Sequence, residues 1–176
     1  MIPDNKAIFF DRDGIINYRI VGGYVESKHQ FKFIPDFFDL FYLIKKIGYL
    51  AIIISNQQGV GKGILSLEDL EQIHSYMQKR LIDIFGFGFD DIYYCTDLTG
   101  SGSFRRKPNH GMLLEAIEKW NIDPKSSYMI GDSLTDVIAG KKAGTKTILI
   151  NHYLTEKPVE ADYLFKNLYQ VADFLI

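Results

Sequence analysis

The sequence predicts a doubly wound, Rossmann-like α/β fold, a parallel sheet with helices on both faces and a minimal cap or none. Three observations predict it. Short uninterrupted apolar runs, Ala7-Ile8-Phe9-Phe10 and Ala51-Ile52-Ile53-Ile54 foremost, read as strands buried on both faces. Stretches with apolar residues at helical spacing lie between such runs, so strand and helix signals alternate along the chain. Several runs also empty directly into polar residues, as strands of an open α/β sheet do at their carboxyl ends, where ligands bind.

The first strand leads into Asp11-Arg12-Asp13-Gly14. Taken alone, that tetrapeptide reads first as an Asp-Gly turn, and only the other strand ends of the chain can make it more. Residues 18–33 carry Gly22-Gly23 and little periodicity, a length of irregular chain that is usually functional. Pro35-Asp36 opens a helix with Phe37, Phe38, Phe41, Leu43 and Ile44 on a broad apolar face, stopped by Gly48. The second strand, 49–55, runs into Asn56-Gln57-Gln58. Ser66 with Asp69 forms a capping-box pattern, followed by Leu67, Leu70, Ile73, Met77, Leu81 and Ile84 at helical spacing.

A short strand at 91–95 precedes a Gly/Ser-rich loop, the basic run Arg105-Arg106-Lys107-Pro108, and a helix with its stripe at Met112, Leu113, Ala116, Ile117 and Trp120. Strand 127–130 reaches Gly131-Asp132, Ser133 caps the next helix and Gly144 ends it. Strand 147–150, an edge strand within 161–165 and a terminal helix complete the chain. With no repeat, low-complexity tract or linker, residues 1–176 read as a single domain.

Composition narrows the function. Twenty basic against 22 acidic side chains give no field drawing the chain to nucleic acid or an anionic membrane. One cysteine, Cys95, excludes an internal disulfide and any site built on several thiolates, which points to the reducing cytoplasm. Residues 1–6 lack a basic leader with an apolar core, and no apolar run approaches bilayer length. The expectation is a soluble, unprocessed chain.

Three strand ends therefore carry chemistry: Asp11 with Asp13, Ser55 with Asn56 and Gln57, and Asp132; Lys107 joins them from the loop before a helix. Brought together, they supply carboxylates for a divalent cation, a hydroxyl and a fixed positive charge. That inventory suits phosphoryl transfer with Mg²⁺, which takes octahedral oxygen ligation. A carboxylate nucleophile fits only beside such cations, since a phosphate dianion would otherwise repel it.

Asp11-Arg12-Asp13-Gly14, Ser55-Asn56-Gln57, Arg106-Lys107-Pro108 and Gly131-Asp132-Ser133-x-x-Asp136 resemble the four successive motifs of haloacid dehalogenase superfamily phosphohydrolases. Gly23-Tyr24-Val25, the Asn-Gln-x-Gly-x-x-x-Gly form of residues 56–63, Tyr93-Tyr94-Cys95 and the Gly111-Met112-Leu113 that follows Arg106-Lys107-Pro108 are similar to the heptose-bisphosphate and histidinol phosphatase group. The resemblance implies that Asp11 attacks phosphorus, that Asp13 protonates the leaving alkoxide and then activates water, and that Ser55 and Lys107 hold the phosphoryl oxygens. It implies Mg²⁺ on Asp11, Asp132 and the main-chain carbonyl of Asp13, with Asp136 orienting Lys107 or neighbouring backbone rather than touching the metal. Gly23, Tyr24, Asn56, Gln57 and Arg106 would bind substrate. The implied activity removes the 7-phosphate of D-glycero-D-manno-heptose 1,7-bisphosphate, placing the chain in lipopolysaccharide heptose biosynthesis. A small phosphorylated metabolite would then be its partner, with neither nucleic acid nor membrane, and a monomer is expected. Histidinol phosphate is the alternative substrate, a polynucleotide 3′-phosphate a remoter one, and a catalytically silent binding partner the reading from another class.

One departure from the group stands out. Members commonly carry a zinc loop with Cys-x-His and Cys-x-Cys spacing, where this chain has Cys95, Asp97, Ser103 and Arg105. One thiolate with no nearby histidine does not make four-coordinate zinc, so no structural zinc is expected. Among remaining candidates, Gly59-Val60-Gly61-Lys62-Gly63 mimics a phosphate loop without its full pattern, though Lys62 could reach a distal phosphate. His29, His74, His110 and His152 are scattered and read as surface or core histidines; His110, near the Arg-Lys-Pro motif, is the one to test. Cys95 reads as a small buried hydrophobe and Trp120 as core.

Overall fold

The computed structural model describes residues 5–176, so the reading of the N-terminal stretch falls partly outside them, at residues 1–4. Six strands form one parallel sheet in the order β3-β2-β1-β4-β5-β6. They are β1 (Ala7–Phe10), β2 (Leu50–Asn56), β3 (Asp91–Cys95), β4 (Tyr128–Gly131), β5 (Lys146–Ile150) and β6 (Tyr163–Phe165). All five pairings are parallel, and β1 at the centre pairs with both β2 and β4. The order reverses direction between β1 and β4, so the crevice at their carboxyl ends is where an α/β sheet of this kind binds ligands.

The central strands are buried on both faces because each face has its own helices. Ile8, Phe10 and Ile53 belong to one apolar cluster with Phe37, Leu40 and Phe41 of α1 (Pro35–Lys46) and Leu70, Ile73 and Met77 of α3 (Leu67–Phe85). Ala7, Phe9, Ile52 and Ile54 belong to the other, with Met112 and Leu113 of α4 (Gly111–Lys119) and Ala139 and Ala143 of α5 (Leu134–Ala143). Residues two apart thus share a face, as a strand's period requires. The aromatic excess goes into the first cluster: Phe37 meets Phe10 edge-on at 5.6 Å and stacks on Phe89 at 5.8 Å. Helix α6 (Leu168–Leu175) closes the chain.

Caps fall at the sequence signals. Ser66 and Asp69 form a capping box, as do Ser133 and Asp136, and Gly86 and Gly144 end their helices in the left-handed conformation. The α3 stripe is narrower than expected: Leu70, Ile73, Met77 and Leu81 are buried, while Leu67 and Ile84 at its ends are exposed.

Two segments differ from a plain loop reading. Residues 18–33 close on themselves, with Tyr18 N–H donating to Lys32 carbonyl (2.9 Å), Ile34 N–H to Ile16 carbonyl (2.9 Å), and Val25 and Phe31 buried as pegs. Residues 58–61 form a single helical turn, α2 (Gln58–Gly61), rather than an anion-binding loop. Its glycines serve close approach: a Cβ on Gly61 would lie 2.2 Å from the Thr96 carbonyl oxygen. No helix among the described residues is long and apolar enough to cross a membrane.

Candidate active site

Asp11 begins where β1 ends, its N–H donating to the Ile130 carbonyl of β4 at 2.9 Å. This bond brings the ends of β1 and β4 together, and with them Asp11 and Asp132. Lys107, 3% exposed, reaches the same point from the other side. Its Nζ donates to Asp11 Oδ1 (2.9 Å) and to the Ile54 carbonyl of β2 (2.7 Å), and it pairs with Asp136 Oδ1 (2.6 Å). Asp136 Oδ2 accepts from the Ser133 N–H and hydroxyl. The capping box of α5 thereby also fixes the lysine. Gly131 permits this, since a Cβ there would lie 2.2 Å from Asp136 Cβ.

Asn56 holds Lys107 by its backbone, its amide donating to the Lys107 carbonyl and accepting from the Lys107 N–H, both at 3.0 Å. Asn56 lines the cavity, as a substrate-binding residue would, while its amide is engaged by the Lys107 backbone. Gln57 does not line the cavity. It is buried beneath the cavity, donating to Ser55 Oγ (2.7 Å) and Asp13 Oδ2 (2.9 Å), because the β2 end turns it inward; Gln58, the next residue, lines the cavity instead.

Asp13 is surrounded by donors. Arg12 Nη2 reaches both carboxylate oxygens (3.0 and 2.9 Å), Asn17 donates to Oδ1 (2.8 Å), and Gln57 to Oδ2. Arg12 is 1% exposed, and its Nη1 lies 3.5 Å from His74 Nε2. An ion buried this deeply demands a paired charge, which Asp13 supplies. Motif spacing points at Asp11 and Asp13 but is silent on Arg12, Asn17 and His74, whose roles depend on what packs beneath the motif.

These surroundings set the ionisation. Burial raises the Asp11 carboxyl to about 7; Lys107 opposes the rise, and Asp136 and Asp132 add to it. Burial disfavours the Lys107 ammonium, yet Asp11 and Asp136 outweigh it and hold the amine above its ordinary range. For Asp13, burial works against the charge but Arg12, with the Asn17 and Gln57 hydrogen bonds, prevails, and the carboxyl stays below its ordinary range. Burial lifts Asp132 to about 6 against the pull of Arg19. A cluster of carboxylates raised in this way is one that a bound cation would restore to full charge.

The oxygens converge as a cation site requires. Carboxylate atoms of Asp11, Asp132 and Asp136 lie within 4.8 Å of one another. Asp136 is already held by Lys107 and Ser133, so Asp11 and Asp132 remain, joined by the Asp13 carbonyl. That carbonyl and Asp132 Oδ1 share one cationic donor, Arg19 Nη2, at 3.1 and 2.7 Å. Gly14, at φ 98°, keeps the space clear: a Cβ there would sit 2.0 Å from Asp132 Oδ2. The set fits a hard divalent cation.

The cavity above holds about 640 Å³ and is walled by Arg19, Ile20 and residues 22–25 and by Asn56, Gln58, Lys62 and Arg106. Gly23 and Tyr24 line it, and Lys62 Nζ lies 5.5 Å from the centre of the Tyr24 ring. Arg106 donates to the Asp97 carbonyl (2.9 Å) and Thr99 Oγ1 (2.8 Å), bracing the 96–105 loop. At the positions of the zinc loop, Cys95 Sγ lies 3.3 Å from Asp97 Oδ2 and 3.8 Å from Ser103 Oγ, while Arg105 pairs with Glu115. One thiol, one carboxylate and one hydroxyl form a hydrogen-bonded cluster rather than a zinc donor set. His110 is not part of the cavity wall; it precedes α4, its ring edge-on to Phe104 at 5.1 Å.

Comparison with known proteins finds relatives in sequence and in fold. A family profile described as HAD-hydrolase-like matches residues 104–173. The chain is 38% identical to "D-glycero-beta-D-manno-heptose-1,7-bisphosphate 7-phosphatase" of Helicobacter pylori strain J99, across 99% of each chain. It is 42% identical to the protein of that name from Pasteurella multocida, across 89% of this chain and 86% of the other. Its fold superposes on the crystal structure of a D,D-heptose 1,7-bisphosphate phosphatase from B. bronchiseptica complexed with magnesium and phosphate, with TM-score 0.86, 25% identity and 97% of each chain covered.

Proposed function

We infer the function from membership: the chain belongs to the D-glycero-D-manno-heptose-1,7-bisphosphate 7-phosphatases of the haloacid dehalogenase superfamily. As such it hydrolyses the 7-phosphate of D-glycero-D-manno-heptose 1,7-bisphosphate through an aspartyl phosphate, and the Helicobacter and Pasteurella relatives, both named for the β-anomer, support that anomer as substrate. The observation that carries the reading is the bond from Lys107 to Asp11 at the meeting of three strand ends, beside an oxygen set suited to Mg²⁺.

Asp11 Oδ1 accepts from the Arg12 N–H and from Lys107, which leaves Oδ2 to attack phosphorus. The Asp11 oxygen–phosphorus bond forms as the bond to the heptose 7-oxygen breaks. Asp13 gives that leaving oxygen its proton; the arriving phosphate dianion favours the protonated form by like-charge repulsion. Asp13 then takes a proton from the water that cleaves the aspartyl phosphate, the ionised form that Arg12, Asn17 and Gln57 support. Lys107 and Ser55 hold the phosphoryl oxygens. Asp11, Asp132 and the Asp13 carbonyl would hold Mg²⁺, which supplies charge neutralisation for the transferring group. The open cavity lined by Tyr24, Lys62 and Arg106 receives the sugar and its second phosphate. Every residue named comes from one chain, so a monomer suffices, and the lone free thiol of Cys95 suits the cytoplasm.

Phosphate release from the two 1,7-bisphosphate anomers, histidinol phosphate and a 3′-phosphorylated oligonucleotide, with Mg²⁺ and with EDTA, tests the reading. The β-anomer is expected to be turned over fastest, and only with Mg²⁺. Preference for histidinol phosphate would replace the substrate, and no turnover at all would return the chain to a silent binding partner.

A further inference from the structure

Arg19 has no place in the chemistry above, yet it touches two of the three groups that would hold the metal. It sits on the 18–33 loop with its side chain 49% exposed, its Nη2 2.7 Å from Asp132 Oδ1 and 3.1 Å from the Asp13 carbonyl. A Cβ on Gly14 would lie 2.0 Å from Asp132 Oδ2 and 3.6 Å from Arg19 Nε, so carboxylate and guanidinium share the space above that turn. A guanidinium and a dication placed on the same groups repel each other at close range. A half-exposed ion pair is weakly held in water, whereas a dication with three oxygen ligands is held strongly, so metal binding frees Arg19.

The freed guanidinium stays within the same cavity, which Arg19 already lines with Gly23, Tyr24, Lys62 and Arg106. Of the other cations there, Lys107 and Arg106 are engaged, and Lys62 is a single ammonium with no fork of donors. Lys107 is enclosed by Asp11, Asp136 and the Ile54 carbonyl; Arg106 braces Asp97 and Thr99; Lys62 lies over the Tyr24 ring. Arg19 alone would then present an unengaged fork of donors, the geometry that binds phosphate bidentately. We propose that Arg19 is a specificity-determining residue that exchanges partners, covering Asp132 and the Asp13 carbonyl until a metal takes them and then binding the second phosphate of a bisphosphate substrate. Loading the metal thereby equips the pocket for a doubly phosphorylated ligand, and a monophosphate gains nothing from the exchange. The inference rests on the metal and bisphosphate reading given above.

Mg²⁺ titration by calorimetry without substrate, on wild type and Arg19→Gln, tests the first half. Removing the competitor is expected to tighten Mg²⁺ binding about fivefold, the fold-change that matches an exposed ion pair. At saturating Mg²⁺, Arg19→Gln should raise KM for the heptose bisphosphate about tenfold, the loss of a charged phosphate contact, and leave kcat/KM for p-nitrophenyl phosphate within about twofold. Unchanged or weaker Mg²⁺ binding, or an unchanged bisphosphate KM, overturns the exchange. Asp132→Asn separates the two readings. If it loses Mg²⁺ while Arg19→Gln behaves as wild type, only the role of Arg19 falls; if Asp132→Asn binds Mg²⁺ normally, the metal site itself is misassigned and both fall.

Discussion

The floor of the site and its rim are built from different kinds of segment. On the floor, Asp11, Ser55, Gln57, Lys107 and Asp136 are all buried, and most are tied to more than one strand or helix end. On the rim, Arg19 and Lys62 stand on short irregular or single-turn segments, and the 96–105 loop is braced chiefly by Arg106 and the Cys95 cluster. The floor is preorganised, because moving any one group leaves a buried charge uncompensated. The rim can be altered without that penalty. Chemistry should therefore be fixed by the floor, and the choice of substrate by the rim.

Removing a floor charge should cost most. Lys107→Ala leaves Asp11 and Asp136 buried without their cation, and a loss in kcat of about a thousandfold is expected, with stability lower by about 3 kcal/mol. Steady-state kinetics and urea unfolding measure both; an effect confined to KM would place Lys107 on the rim. Asn56→Ala tests the lysine's backbone anchor. Its kcat should fall roughly a hundredfold while KM holds, since a misplaced phosphoryl-binding group slows the reaction. A KM effect alone would place Asn56 in substrate recognition instead. Lys62→Ala should do the converse, raising KM for the bisphosphate about tenfold with kcat nearly unchanged.

The smallest effect concerns the support beneath the floor. Burial, aided by Arg12 and opposed by Asp13, pushes the His74 imidazole from 6.5 down to about 3. As pH falls, the unfolded chain binds this proton first, so the folded state loses stability between 6.5 and about 3. By about pH 5 the loss reaches at most about 2 kcal/mol. Asp11, raised to about 7, contributes with the opposite sign, since its folded form binds the proton first. Comparing wild type with His74→Gln by chemical unfolding at two pH values isolates the histidine. The variant should show the shallower loss on acidification, and identical slopes would mean that His74 is protonated in the folded protein.

Much of the floor was legible because its signals are local. An apolar run that ends in Asp11, another that ends in Ser55, and a Gly-Asp-Ser before a helix place their polar residues at strand ends by chain geometry alone. Asp136 was legible only in part: three positions after Ser133 it fits a capping box, but its pairing with Lys107 depends on how the 96–107 segment packs against that helix end. Gln57 was not, because whether a residue just past a strand faces up or down depends on the register with β3, where its N–H donates to the Cys95 carbonyl at 2.7 Å. Arg12 and His74 meet across 62 residues of sequence, a pairing that no window contains. Arg19 lies in a loop whose closure depends on contacts at residues 16, 32 and 34, so no periodicity could place its guanidinium over Asp132.

If the buried floor performs the chemistry, it does so through Asp11, and losing that carboxylate must stop it. Phosphate release from D-glycero-β-D-manno-heptose 1,7-bisphosphate by wild type and Asp11→Asn, in Mg²⁺, reads this out. The wild type is predicted to free one phosphate per substrate, from C7, and the variant to be slower by roughly ten-thousandfold or more, as expected on losing a covalent nucleophile. Turnover by Asp11→Asn at the wild-type rate would mean that Asp11 is not the nucleophile.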